Sequence, residues 1–166
     1  MTDLNISSEA DNASGPWQEV RDRLELRQLV DTYAQAVDRR MATLLSSLFS
    51  DDGLLVIRRR HRVDRPPLTF GAHDGWAGAL SVLERCVITT HFVGNQIVRL
   101  SGDRATGETY CLAHEIYPGD GAERLLVRAV RYQDSFSRAE GRWRFTRREV
   151  TVDWVEERVL SSLNSP

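Results

Sequence analysis

Residues 90–117 read THFVGNQIVRL-SGD-RATGETYCLAHEIY, two runs of period two joined by a tight turn. Alternation of this kind puts successive side chains on opposite faces of a strand, and Ser101-Gly102-Asp103 supplies the reversal between the two runs. The pattern continues toward the C-terminus. Glu123 to Arg138 and Arg142 to Trp154 are two more long strand candidates, set off by Pro118-Gly119-Asp120-Gly121 and by Glu140-Gly141. Four consecutive strands with short turns make an antiparallel meander.

Upstream the period changes to that of a helix. Leu26, Leu29, Val30, Tyr33 and Val37 form an amphipathic stripe in a helix that starts near Trp17, with Arg23, Arg27, Gln28, Asp31 and Gln35 on the other face. Met41 to Ser50 reads as a second, short helix with Leu44, Leu45, Leu48 and Phe49 inward, stopped by the turn residues Asp51-Asp52-Gly53. Leu54 to Ile57 is a short strand, Arg58 to Thr69 with Pro66-Pro67 a strand end and loop, and Ala72 to Arg85 a third helix on Trp76, Leu80 and Leu83. Helices first and an antiparallel meander after them predict an α+β fold. The expected packing is a cone: a curved, mixed or antiparallel sheet wrapped around the N-terminal helical hairpin and the third helix, an α+β barrel with a pocket at its mouth. Residues 1–16, ending in the breaker pair Gly15-Pro16, read as a flexible tail, 17–160 as a single domain and 161–166 as a flexible C-terminus.

With 166 residues, 41% of them hydrophobic, and a net charge of −2, the chain supports one core. No apolar run approaches the ~18 residues of a membrane span. The polar first residues resemble neither a signal nor a transit peptide, so a cytoplasmic location is expected. All 22 basic residues are arginine. That excludes a lysine Schiff base, a phosphate-loop lysine and a lysine general base. Cys86 and Cys111 have no CxxC partner and read as reduced, buried thiols. Arg58-Arg59-Arg60-His61-Arg62 lacks interleaved aromatics in a slightly acidic chain, so it reads as a solvated loop near the pocket mouth, not as a nucleic-acid site; His61 and His73 read as exposed.

The stretch Leu29-Val-Asp-Thr-Tyr33-Ala-Gln-Ala-Val-Asp38-Arg-Arg, the following Leu48-Phe-Ser-Asp-Asp52, the Thr90-His91-Phe element and the closing Gly141-Arg-Trp143 resemble the SnoaL-like branch of the nuclear transport factor 2-like superfamily. The likeness runs over about residues 20–156. Within that branch the chain is most similar to scytalone dehydratase, bile-acid 7α-dehydratase and hexachlorocyclohexane dehydrochlorinase. The resemblance implies catalytic roles for Asp38 and His91, with Tyr33 and His114 at positions where individual members carry further acid–base groups, and Tyr132 on the pocket wall. Leu112, Phe49 and Trp76 are expected to complete the substrate site. It also implies a homo-oligomer, trimer or dimer, and no cofactor or metal.

The chemistry is coherent on its own terms. A neutral imidazole is a base matched to neutral pH, and a carboxylate on one ring nitrogen fixes the tautomer so that the other can take a proton. Asp38 then orients His91, His91 abstracts a proton from carbon, and Tyr33 or His114 polarises a carbonyl or protonates a leaving hydroxyl. Each residue also has a plain structural reading. Asp38, before Arg39-Arg40, is a solvated helix-end charge in the alternative; His91 is a hydrogen-bonded core residue; Tyr33 is core packing; Tyr132 points either way. For His114, parity with Leu112 and Tyr110 favours the inward face. His91, His114 and Asp38 also have the composition of a facial-triad metal site, but no HxD or HxE spacing accompanies them. The expected function is a cofactor-independent acid–base lyase, a dehydratase acting on a small hydrophobic hydroxylated substrate. A polyketide or steroid-like cyclase or isomerase is the alternative in the same pocket. A non-catalytic partner subunit, similar to the β subunits of ring-hydroxylating dioxygenases, is the alternative of another class.

Overall fold

The computed structural model describes residues 15–59, 65–72 and 75–160. His61, His73, most of the arginine-rich run and both terminal segments lie outside them. The order of elements is α1 (Pro16–Asp38), α2 (Ala42–Ser47), β1 (Phe49–Arg59), β2 (Leu68–Phe70), α3 (Trp76–Ser81), β3 (Ile88–Ser101), β4 (Arg104–Pro118), β5 (Glu123–Ala139) and β6 (Arg142–Val159). One six-stranded sheet runs β2-β1-β6-β5-β4-β3. Every neighbouring pair is antiparallel except β1 and β6, so the sheet is mixed. It is unclosed, with β2 and β3 as its edges.

Gly15 and Pro16, read from sequence as a break, are the N-cap and first residue of α1. Proline suits that position, because the amide it lacks has no helical partner there. The stripe Leu26, Val30, Tyr33 and Val37 is buried, while Arg23–Glu19 and Arg27–Asp31 pair one turn apart on the outer face. Residue spacing therefore sets the helix and its orientation. The second helix is shorter than its apolar run implies. The chain enters β1 at Phe49, and Asp51-Asp52-Gly53 is an irregularity inside the strand where the pairing with β6 shifts register between Phe49 and Leu54. Gly53 is required there, since a Cβ would stand 2.8 Å from that of Phe49 and 3.0 Å from the Phe145 carbonyl oxygen. The short strand β2 begins inside the stretch read as strand end and loop and runs one residue beyond it, to Phe70.

Further register shifts fall in β3, between Val93 and Gln96, and along β5–β6. Such bulges bend strands and increase twist, which curves the sheet around the helices. The β3 bulge also docks α1: Arg27 donates to the Gly94 carbonyl at 2.7 Å, and Arg23 to that of Val98 at 2.9 Å. Buried Asp22 pins the other flank, accepting from Trp143 Nε1 at 3.0 Å and from Arg138 at 2.5 Å. Between helices and sheet, Leu26, Val30, Phe49, Trp76, Phe136 and Phe145 are among the residues of one core.

Candidate active site

Asp38 is the last residue of α1, and the turn after it fixes its direction. Met41 N–H reaches the Ala36 carbonyl and Arg40 N–H that of Val37, the paired bonds that close a helix with a left-handed residue. That residue is normally glycine; here it is Arg40, at φ 56°. Its guanidinium offsets the strain by donating to the Val37 carbonyl at 2.7 Å and to Thr89 Oγ1 at 2.8 Å. Helix end and strand β3 are thereby tied together beside Asp38.

The Asp38 carboxylate meets His91 of β3 through both of its oxygens. One lies 2.7 Å from Nδ1, and the other accepts the His91 backbone N–H at 2.9 Å. Burial pushes the Asp38 carboxyl pKa up, but the bonds from the His91 ring and backbone and from Thr89 outweigh it and leave it below its ordinary value. An ionised carboxylate on Nδ1 requires the proton at that nitrogen, which leaves the Nε2 lone pair as the basic site.

His91 lines a cavity of about 100 Å³. A space of ~10–15 Å³ holds one water, so the cavity has room for several, and no side chain of the described residues fills it. Its wall is mainly aliphatic, with Ile57, Leu80, Val130 and Val152 among the lining residues, and the polar exceptions among the described residues are Tyr33, His91, Glu115, Arg128 and Tyr132. Desolvation drives the Tyr33 phenol up to about 12 against the pull of Arg148, and raises Tyr132 well above its ordinary value. Both are neutral donors at any physiological pH.

Behind the tyrosines is a group the sequence reading passes over. Arg148 is 0% exposed, and its guanidinium carbon stands 4.2 Å from the ring centroids of Tyr33, Tyr132 and Phe145. Asp134, equally buried, takes two of its hydrogen bonds at 2.8 and 2.7 Å. Arginine among many on a strand of period two carries no mark of burial; only the inward parity shared with Val150 and Val152 would have flagged it.

The structure brings Asp38, His91, Tyr33 and Tyr132 together and leaves the others out. The buried row of β4 is Thr109, Cys111, Ala113 and Glu115. His114 therefore faces outward with Tyr110 and Leu112, and neither it nor Leu112 lines the cavity. Parity with Tyr110 and Leu112 points His114 outward instead of inward, since those two are themselves outer-face residues, 43% and 38% exposed. His114 cannot join Asp38 and His91 around a metal, and among the described residues no three potential ligands converge. Phe49 and Trp76, expected against substrate, instead pack on one another in the core with ring centroids 4.2 Å apart. Cys111 is buried as anticipated, whereas Cys86 is only half-buried. Among the described residues no helix is long and apolar enough to cross a membrane.

The chain belongs to the SnoaL-like domain family, whose model matches residues 18–149. An uncharacterized protein of Mycobacterium tuberculosis strain H37Rv is 31% identical over 133 residues, 80% of this chain and 86% of that protein. Among solved structures, the hexachlorocyclohexane dehydrochlorinase LinA-type3 from Novosphingobium barchaimii superimposes with a TM-score of 0.71 at 18% identity, covering 87% of this chain and 94% of that one. A candidate scytalone dehydratase from Novosphingobium aromaticivorans gives 0.70 at 17% identity, covering 89% and 97%. At those identities the two structures establish a shared fold.

Proposed function

We propose that this SnoaL-like protein is a cofactor-independent acid–base lyase that eliminates water from a small, largely apolar hydroxyketone. The observation that carries the reading is the Asp38–His91 contact at 2.7 Å on the wall of an open apolar cavity. Nε2 takes the proton from the carbon next to a carbonyl. The C–H electron pair forms the new double bond, the C–O bond to the hydroxyl on the adjacent carbon breaks, and the proton held by His91 leaves with that hydroxyl as water. Tyr33 and Tyr132 donate to the carbonyl oxygen as charge develops on it. The dehydrochlorinase and scytalone dehydratase names attached to proteins of this fold agree with an elimination. An isomerase or cyclase shares the first proton transfer. The open cavity speaks against a non-catalytic subunit, in which side chains would fill that space.

The test is a panel of β-hydroxyketones incubated with the enzyme in deuterium oxide and followed by mass spectrometry. Elimination lowers the mass by one water, whereas isomerisation only exchanges the acidic C–H. His91→Gln should lose both signals while remaining folded. Turnover by that variant at the wild-type rate, or no loss of water from any member of the panel, overturns the reading.

A further inference from the structure

We infer that Glu115 and Arg128 form a second polar subsite of this cavity, one that selects neutral substrates carrying a hydroxyl group on the far side from the carbon that His91 deprotonates. The inference rests on the lyase reading for what His91 does, and on separate geometry for what the pair does.

His91, Ala113 and Arg128 are register partners across β3, β4 and β5, so they form one inward row with Ala113 in the middle. Two inter-strand spacings separate the outer members, about 10 Å between backbones. Ala113 places only a methyl group between the outer two, and all three residues line the cavity. Glu115, the next inward residue of β4, accepts from Arg128 Nε at 2.6 Å on Oε1, and on Oε2 from Arg128 Nη2 at 3.2 Å and from the Cys86 thiol at 3.9 Å. Arg128 Nη1 makes no hydrogen bond among the described residues.

The fold has no evident need of this pair. Pairing of β4 with β5 is continuous from Arg104↔Ser137 to Pro118↔Glu123, and replacing a buried ion pair by apolar residues is generally neutral or better for stability. Away from His91 and the two tyrosines, it supplies an acceptor and a donor side by side on a mainly aliphatic wall, which a hydroxyl group satisfies in both senses. It also sets the charge preference. Among the described residues of the lining, Glu115 and Arg128 are the carboxylate and the guanidinium, and their charges cancel. A carboxylate would enter without an uncompensated cation and with Asp38 behind His91, so its desolvation would go unrepaid.

Calorimetric binding of para-hydroxyacetophenone, para-hydroxybenzoate and acetophenone to the full-length protein tests this. Wild type should bind the hydroxyketone roughly tenfold more tightly than either of the others, the worth of one hydrogen bond to a charged group. Glu115→Gln leaves Arg128 uncompensated and should reverse the preference toward the carboxylate. Arg128→Gln should erase the advantage of the hydroxyketone over acetophenone, and serves if Glu115→Gln does not fold. His91→Gln should keep the wild-type order. That order without any turnover of β-hydroxyketones would sink the lyase reading and leave the subsite standing. Failure of wild type to bind the hydroxyketone, or the same order in a folded Glu115→Gln or Arg128→Gln protein, overturns the inference.

Discussion

The carboxylate of Asp38 holds two hydrogens of a single residue, the backbone N–H of His91 at 2.9 Å and the ring Nδ1 at 2.7 Å. This double contact makes Asp38→Asn an informative variant. The backbone N–H can only donate, so it claims the amide oxygen. The amide NH₂ then faces Nδ1 and forces the ring proton onto Nε2, which removes the base from the cavity. Asp38→Asn should therefore fold normally yet lose about 10²- to 10⁴-fold in kcat, the range of a positioned general base. Steady-state kinetics with a thermal melt checks both halves.

Acid stability should carry the mark of the same carboxylate. A folded pKa below the ordinary aspartate value contributes stability that is fully present above the unfolded value of ~3.9, and that is lost as pH falls through the folded one. The urea midpoint of wild type should drop more steeply between pH 5 and pH 3 than that of Asp38→Asn. Parallel curves would mean that the His91 contacts do not favour the ionised form.

Much of the molecule is legible in the sequence, because periodicity reports burial directly. The α1 stripe and all four long strands of the meander stand where alternation puts them. Local turn chemistry misleads at Asp51-Asp52-Gly53, where a bulged strand uses the residues that would otherwise end a helix. Asp38 and His91 can be named through family likeness, since nothing local to either residue reveals a contact spanning 53 positions of chain. Parity fails for His114, because β4 carries apolar residues on both faces and the sequence does not say which row is inward. Arg148 escapes notice for a different reason: a buried charge becomes visible only with its partner Asp134, on the neighbouring strand.

The Arg148–Asp134 pair should prove costly to break and cheap to replace. Arg148→Met strands a carboxylate with 0% exposure, and the expected loss is about 3–5 kcal/mol. Removing both charges, as in Arg148→Met with Asp134→Leu, should restore most of that stability. Urea unfolding of the single and double variants decides it. Activity should stay low in the double variant, because Tyr33 and Tyr132 lose the cation on which both rings rest.

Tyrosine as the neutral donor predicts the alkaline side of the rate profile. The Tyr33 phenol is held to about 12, so it keeps its proton and kcat should hold a plateau from pH 8 through pH 10. An unperturbed phenol would cut the plateau near its usual ~10. Tyr33→Phe should lower the plateau without changing its shape. A falling limb between pH 9 and pH 10 would remove Tyr33 from the donor role.

The outer face of the sheet bears on assembly. Phe92 is 68% exposed and Trp154 50%, and with Tyr110 and Leu112 they line a shallow apolar groove across β3–β6. Monomers seldom leave such residues contiguous in water. The charges within the groove, Arg131 and Asp153, pair with each other at 2.9 Å, so no net charge there opposes contact between two copies of the chain. Self-association through this face is the expected outcome, as dimer or trimer, in sedimentation equilibrium at micromolar concentration. Phe92→Glu with Trp154→Glu should yield a folded monomer, because both side chains point away from the core and the cavity. A wild-type protein that sediments as a monomer throughout that range would show that the face serves another purpose.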